Sequence, residues 1–438
     1  MQKFHISTLG CKINQYESEA LAEAWRTRGF SEAQAPEDAQ VLLVNSCAVT
    51  SRAVSDLRAL ARRLRKANPG ARIVVTGCAA QVLQAELSAM PEVDEVVPQD
   101  RKAGLLSGPF GSFKGASPAS EASERRFPPF SIGAFNRARA VVKVQDGCSH
   151  GCTYCIVPLT RGPSVSREPD EALAEMRRLL GAGYRELVLS GVNLRQYGRD
   201  LPEPLDFWDL LARVERELAP EWAGRARLRL SSLEPGQLTA KALDALGVSR
   251  LVAPHLHLSL QSGDPEVLRR MGRGHYRPEQ VQEFLAGLRR FWPRLGLGAD
   301  LLTGFPGETE AQFENTCAFC RELPLTYAHV FPYSPRPGTP AAGWPDTLPK
   351  ARRTARAARL RGLAESRRRA FLKTLAAGPE LTVLVEKGGH GEGNGVCEFY
   401  APCLMRGEGL KPGSLVRLRP EGVEGGRVVG VAVTGESA

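Results

Sequence analysis

Three cysteines within eight residues, Cys148-Ser149-His150-Gly151-Cys152-Thr153-Tyr154-Cys155, constrain this chain more than any other stretch. They follow a strand-like apolar run, Ala140-Val141-Val142-Lys143-Val144. Cysteines separated by three and then two residues can turn inward around one small inorganic core, and soft thiolates suit an iron-sulfur cluster or zinc better than magnesium or calcium. Ligand type alone leaves both open. A structural zinc site is closed by four protein ligands, whereas three leave a coordination position free for a substrate. No second cysteine pair lies nearby in the sequence to complete a zinc knuckle.

With an aromatic residue, Tyr154, just before the last cysteine, this spacing resembles the cluster loop of the radical S-adenosylmethionine (SAM) superfamily. The resemblance implies a 4Fe-4S cluster on Cys148, Cys152 and Cys155, with SAM chelating the fourth iron.

The 438 residues allow two to four domains, and a hydrophobic fraction of 42% is that of a globular protein. An excess of 58 Lys and Arg over 48 Asp and Glu gives +10 and favours a polyanionic partner. The N-terminus lacks the basic region and apolar run of a signal peptide, and no stretch of about 18 apolar residues occurs, so a cytoplasmic protein without a membrane span is expected. Ten cysteines in such a compartment are reduced, and clustered ones are metal ligands or redox groups.

From the start, three apolar runs each end in a small or polar residue and then a cysteine: Phe4 to Gly10 before Cys11, Val41 to Ser46 before Cys47, Ile73 to Gly77 before Cys78. Helical patterns lie between them, Glu17 to Arg28 closed by Gly29, and Ser51 to Lys66 with Val54, Leu57, Ala61 and Leu64 on one stripe. The alternation predicts a parallel βαβ domain over residues 1–106, in which cysteines just past three strand ends converge at one edge. Ser, Gly, Pro and Ala dominate 107–136, which reads as a linker.

Over 137–345, six strand-like runs alternate with helices: Arg139 to Gln145, Glu186 to Ser190, Arg227 to Ser231, His255 to Ser259, Gly298 to Thr303 and Ala328 to Tyr333. This predicts a partial (β/α)6 TIM-like barrel with its functional groups at the C-terminal strand ends. Cys317 and Cys320 fall on one helix face with no local ligand partner and read as packing residues, as do Cys397 and Cys403. Residues 346–377 form a basic helical connector, with ten Lys or Arg and one acid between Lys350 and Lys373, so Arg352, Arg353, Arg356 and Arg359 are candidates for RNA phosphate contact. Short β runs broken by glycines over 378–438 predict a small β-barrel.

Both cysteine sets in this order, followed by a small β domain, resemble the methylthiotransferase family of radical SAM enzymes along nearly the whole chain. The resemblance implies a second 4Fe-4S cluster on Cys11, Cys47 and Cys78, and a C-terminal TRAM-like RNA-binding barrel. It places Tyr154 near the SAM adenine, Gly191 and Asn193 near its methionine moiety, and Gln261 near its ribose. Thr8-Leu9-Gly10-Cys11-Lys12-Ile13-Asn14-Gln15-Tyr16-Glu17-Ser18, Gln145-Asp146-Gly147-Cys148 and Ser231-Ser232-Leu233-Glu234-Pro235 look most like the branch acting on N6-threonylcarbamoyladenosine at position 37 of tRNA. Siblings modify isopentenyladenosine in tRNA or a ribosomal-protein aspartate. A flavodoxin- or ferredoxin-type electron donor and a sulfur donor are implied as partners. The opposing class, an RNA-binding or electron-transfer iron-sulfur protein without catalysis, normally completes each cluster with a fourth protein ligand, and this chain twice provides three.

Overall fold

The structure is a computed structural model that describes residues 2–110 and 126–433. An N-terminal sheet of five parallel strands runs in the order Ser31–Glu32, Lys3–Thr8, Val41–Ser46, Arg72–Gly77, Glu95–Pro98. Helix Ser51–Ala67 buries the expected stripe of Val54, Leu57, Ala61 and Leu64, and its cap Thr50 accepts a hydrogen bond from the Ala53 N–H. The preceding helix starts at Lys12 rather than Glu17, because its buried face already includes Ile13, Asn14 and Tyr16.

The central domain has six parallel strands: Ala140–Asp146, Glu186–Gly191, Arg227–Leu230, His255–Gln261, Gly296–Thr303 and Tyr327–Pro332. Isolated bridges, Leu228 to Val252 and Leu233 to Leu258, join the two halves, and among the described residues the first and sixth strands do not pair. The result is a barrel with one open side. Cys317 and Cys320 are buried in its apolar core.

The expected linker differs. Residues 111–125 lie outside the described residues, but Phe130, Ile132 and Phe135 are buried in the shared core of the first two domains. The Tyr16 hydroxyl donates to the Phe130 carbonyl (2.8 Å), and the Ile132 N–H donates to Glu175 (3.0 Å). Three anchors without periodicity, among Ser, Gly and Pro, carry no sequence signal of this seam.

Helix Lys350–Ala376 leads to a closed barrel of five strands, Leu381–Gly389, Glu392–Cys397, Pro402–Arg406, Arg427–Val433 and Leu415–Glu424, whose core contains Cys397 and Cys403. Three of the four arginines expected to contact phosphate are engaged within the protein. Arg356 is buried and pairs with Glu308 (2.7 Å) and Glu310 (2.8 Å), Arg359 pairs with Glu314, and Arg353 donates to the Tyr333 carbonyl. Acids on the facing loop and helix therefore engage one face of the cationic run, while Arg352 stays exposed, as do Lys350, Arg369 and Lys373.

The seam between the two barrels is ionic. Glu186, fully buried, accepts from Arg227 (2.5 Å) and Arg229 (2.8 Å). Those arginines also donate to the Thr382 (2.7 Å) and Val396 (2.9 Å) carbonyls and to the Cys397 (3.0 Å) and Glu398 (3.1 Å) carbonyls, respectively. Burial alone would raise the Glu186 carboxyl, but Arg229 and Arg227 hold it down to about 2. A carboxyl depressed on folding contributes stability that is fully present above its unfolded value and lost as pH falls through the folded value. Glu186→Gln strands buried guanidinium charge, so it should lower stability at pH 7 by about 3 to 5 kcal/mol. The deficit should shrink as pH falls from about 4.5 toward 2, as measured by denaturant unfolding at several pH values.

Candidate active site

Cys11 caps the helix Lys12–Thr27, Cys47 follows the strand Val41–Ser46, and Cys78 opens the short helix Cys78–Val82. Adjacent parallel strands bring the three turns side by side. Gly10 makes this possible at φ +106°, since a Cβ there would lie 2.7 Å from the Cys47 Cβ. Asn14 ties the turns together by donating to the Leu9 (2.8 Å) and Ser46 (2.9 Å) carbonyls.

The second triad lies past the first barrel strand. Gly147, at φ +67°, turns the chain where a Cβ would sit 2.0 Å from the Pro163 carbonyl oxygen. The loop is then pinned along its length. Cys148 N–H donates to the Gly162 carbonyl (2.9 Å), Ser149 N–H to Gln196 (2.8 Å), and Thr153 N–H to the Met271 carbonyl (3.1 Å). Gln145 links it to the next strand end, donating to the Gly147 carbonyl (2.8 Å) and accepting from the Asn193 N–H (2.7 Å).

All six cysteines line one cavity of about 1090 Å³. Tyr154, Gly191 and Asn193 line it as well, whereas Gln261 does not: its strand ends at φ +64°, with a register shift between Leu258 and Gln261. Asn193 Nδ2 stands 3.6 Å from the Cys148 sulfur and Arg273 Nη1 stands 3.7 Å from the Cys152 sulfur, two donors aimed at thiolate positions. Burial pushes Cys155 up to about 12 and Cys47 up to about 11. Without metal these groups are therefore thiols at neutral pH, and loading releases their protons.

Charged residues within the quoted motifs take on partners that local spacing does not reveal. Glu234 follows the third barrel strand and receives His275 (2.7 Å), Arg273 (3.2 Å) and Arg195 (3.4 Å). Despite burial, that His275 bond and Arg273 hold it down to about 2. Beneath both triads, fully buried Glu17 receives Lys102 (2.5 Å), Lys143 (2.7 Å) and Arg161 (2.9 Å), and Asp146 receives Lys143 (2.7 Å) and Arg161 (2.8 Å). Burial works against ionised Glu17, yet Arg161, Lys102 and Lys143 together keep its carboxyl well below the usual range.

Two sets of three soft donors on one cavity fit two open 4Fe-4S clusters. Among the described residues, the buried Ser231 hydroxyl on the cavity wall has no hydrogen-bond partner, as expected of a group left for a ligand such as SAM. Fold and site together define a radical SAM protein with an auxiliary thiolate centre.

Known proteins agree with this class. Residues 3–98 match the family described as Uncharacterized protein family UPF0004, and 142–320 match the Radical SAM superfamily. Threonylcarbamoyladenosine tRNA methylthiotransferase MtaB of Bacillus subtilis is 37% identical, over 83% of this chain and 80% of that protein. The protein of the same name from Thermotoga maritima is 34% identical, over 97% and 99%. A tRNA-2-methylthio-N(6)-dimethylallyladenosine synthase of Thermus thermophilus is 36% identical, over 81% and 75%. Among solved structures, the radical SAM methyltransferase TsrM from Kitasatospora setae shares the fold with a TM-score of 0.57 at 15% identity, over 78% of this chain and 77% of that one. The chain belongs to the radical SAM methylthiotransferase family. Among the described residues, no helix is long and apolar enough to cross a membrane.

Replacing Cys148, Cys152 and Cys155 together with Ala should halve the iron of the reconstituted protein, from about eight to about four per chain, and abolish SAM cleavage. Iron analysis and chromatography of the SAM products check both; cleavage by the triple variant contradicts the assignment.

Proposed function

We propose that this chain inserts a methylthio group at carbon 2 of N6-threonylcarbamoyladenosine, at position 37 of tRNA in the cytoplasm, using SAM and two 4Fe-4S clusters. The observation that carries this reading is the shared cavity, since a base held there stands between both cysteine triads. Relatives named for threonylcarbamoyladenosine support the choice of nucleoside.

Cys148, Cys152 and Cys155 would hold a 4Fe-4S cluster, which when reduced would supply the electron for SAM cleavage. The chain's own groups bind and orient. Asn193 and Arg273 direct N–H donors at two of the ligating sulfurs, and such hydrogen bonds tune a cluster's potential. Tyr154 forms part of the wall over the SAM position, its ring set edge-on to Phe305 (6.3 Å). Gly191 lines the cavity where the methionine end is placed, and a side chain there would press on Gln145 and Leu194, so the glycine keeps this wall packed. A flavodoxin- or ferredoxin-type protein supplies electrons, and a separate donor supplies sulfur.

Mass spectrometry of tRNA nucleosides tests the reading. Deleting the gene should remove the methylthio form of threonylcarbamoyladenosine and leave that of dimethylallyladenosine unchanged; the opposite pattern assigns the chain to the sibling activity. Complementation with Cys11, Cys47 and Cys78 replaced by Ala should not restore the modification, although the purified variant still cleaves SAM.

The exposed cations Lys350, Arg352, Arg369 and Lys373 are the better candidates for tRNA backbone contact, with Arg353, Arg356 and Arg359 engaged on the barrel. Replacing these four with Ala should flatten the slope of log K against log salt by up to about three, at roughly 0.7 to 0.9 per phosphate contact. Tritrating binding at three salt concentrations reads the slope, and an unchanged slope means that the tRNA grip lies elsewhere.

A further inference from the structure

The cavity does not end at the cysteines. Arg139 precedes the first barrel strand, whose far end leads to Cys148, and seven residues of strand span about 23 Å. The same cavity is lined at the Arg139 end by Arg229, Asp300, His329 and, from the C-terminal barrel, Tyr400. Tyr400 lies against both guanidinium groups, 5.3 Å from Arg139 and 5.1 Å from Arg229.

Charge in this region is nearly all matched. Arg139 pairs with Glu386 (2.7 Å), Arg229 with Glu186 (2.8 Å), and Asp300 with His257 (3.1 Å). Lys12 lines the cavity as well, exposed and within electrostatic reach of Tyr400, Arg139, Arg229 and Glu186, and among the described residues its side chain makes no hydrogen bond or ion pair. Its ammonium offers three donors and no acceptor, so a ligand's carboxylate can take the place of the water that solvates it.

A threonylcarbamoyl group carries a carboxylate, a hydroxyl and a ureido linkage, whereas a dimethylallyl group carries no polar atom. A polar cavity end selects strongly for a substituent that satisfies it, because an apolar one leaves its donors unpaired. We propose that Lys12 anchors the carboxylate of the amino-acid substituent on the target adenine, and that Lys12, Tyr400, Asp300 and His329 form the specificity subsite for that substituent. The inference rests on the threonylcarbamoyladenosine reading and adds the residue that reads the substrate's negative charge. Asp300 and His329 stand as partners for the substituent's hydroxyl.

The test measures affinity, without SAM, of the iron-loaded protein for three synthetic anticodon stem-loops. They differ only in the substituent on the target adenine: the threonylcarbamoyl acid, its carboxamide, and dimethylallyl. Wild type should bind the acid about tenfold or more tighter than the carboxamide. Lys12→Gln should bring that ratio to about one, and Lys12→Arg should preserve it. Because any general loss of attraction to RNA weakens both stem-loops alike, the ratio isolates the carboxylate. Equal wild-type affinity for acid and carboxamide overturns the proposal, as does a ratio unchanged in Lys12→Gln. Lys12 adjoins Cys11, so iron is measured in each variant; if Lys12→Gln loses iron, the wild-type comparison, which needs no substitution, still decides. Tightest binding of the dimethylallyl stem-loop instead rejects the functional reading itself.

Discussion

Glu17 is the contact on which the geometry of the site depends. Its carboxylate joins Lys102 of the N-terminal domain to Lys143 and Arg161 of the barrel, all with less than a twentieth of their side-chain surface exposed. Lys143 and Arg161 in turn hold Asp146, two residues before Cys148, and Arg161 donates to Asn14 (2.7 Å), which fixes the turns of Cys11 and Cys47. One ion network therefore sets the position of each triad relative to the other. Such a network is weak evidence for net stability, because desolvation offsets most of the attraction. Its directional bonds select one arrangement of two domains that a flat apolar seam would leave free to slide.

The same design recurs twice around the cavity. Glu186 gathers Arg139, Arg227 and Arg229 where the C-terminal barrel docks, and Glu234 gathers Arg195, Arg273 and His275 beside the second triad. Each carboxylate is surrounded by three basic side chains, so the cavity is bordered by more basic groups than acidic ones. Buried excess charge is costly unless compensated. Anionic occupants, such as thiolate-held clusters, supply that compensation.

The six cysteines were legible because spacing and position after apolar runs are local properties, and the helices and barrel strands followed from periodicity. What supports them was not. Glu17 meets its three cations across 85, 126 and 144 residues of sequence, and each of those residues in isolation resembles an ordinary surface charge. The basic helix shows the same limit from the other side. Its ten-to-one charge imbalance disappears on one face once Glu308, Glu310 and Glu314 of the barrel are folded against it. In strands Glu392–Cys397 and Pro402–Arg406, Gly393, Gly395 and Pro402 weaken the local β signal, and closure of the barrel supplies the pairing that propensity withholds.

The order of domains along the chain has a physical consequence for selectivity. The N-terminal domain contributes Cys11 and Lys12 to the cavity as consecutive residues, and the C-terminal barrel contributes Tyr400. Tyr400 holds φ +64°, a conformation rare for a bulky residue, in the turn that its barrel presses against Arg139 and Arg229. Neither outer domain can move without changing the volume or charge of the cavity between them. On the proposed function, recognition of the base and placement of both metal centres therefore become one structural property, set by the two ionic seams at Glu17 and Glu186.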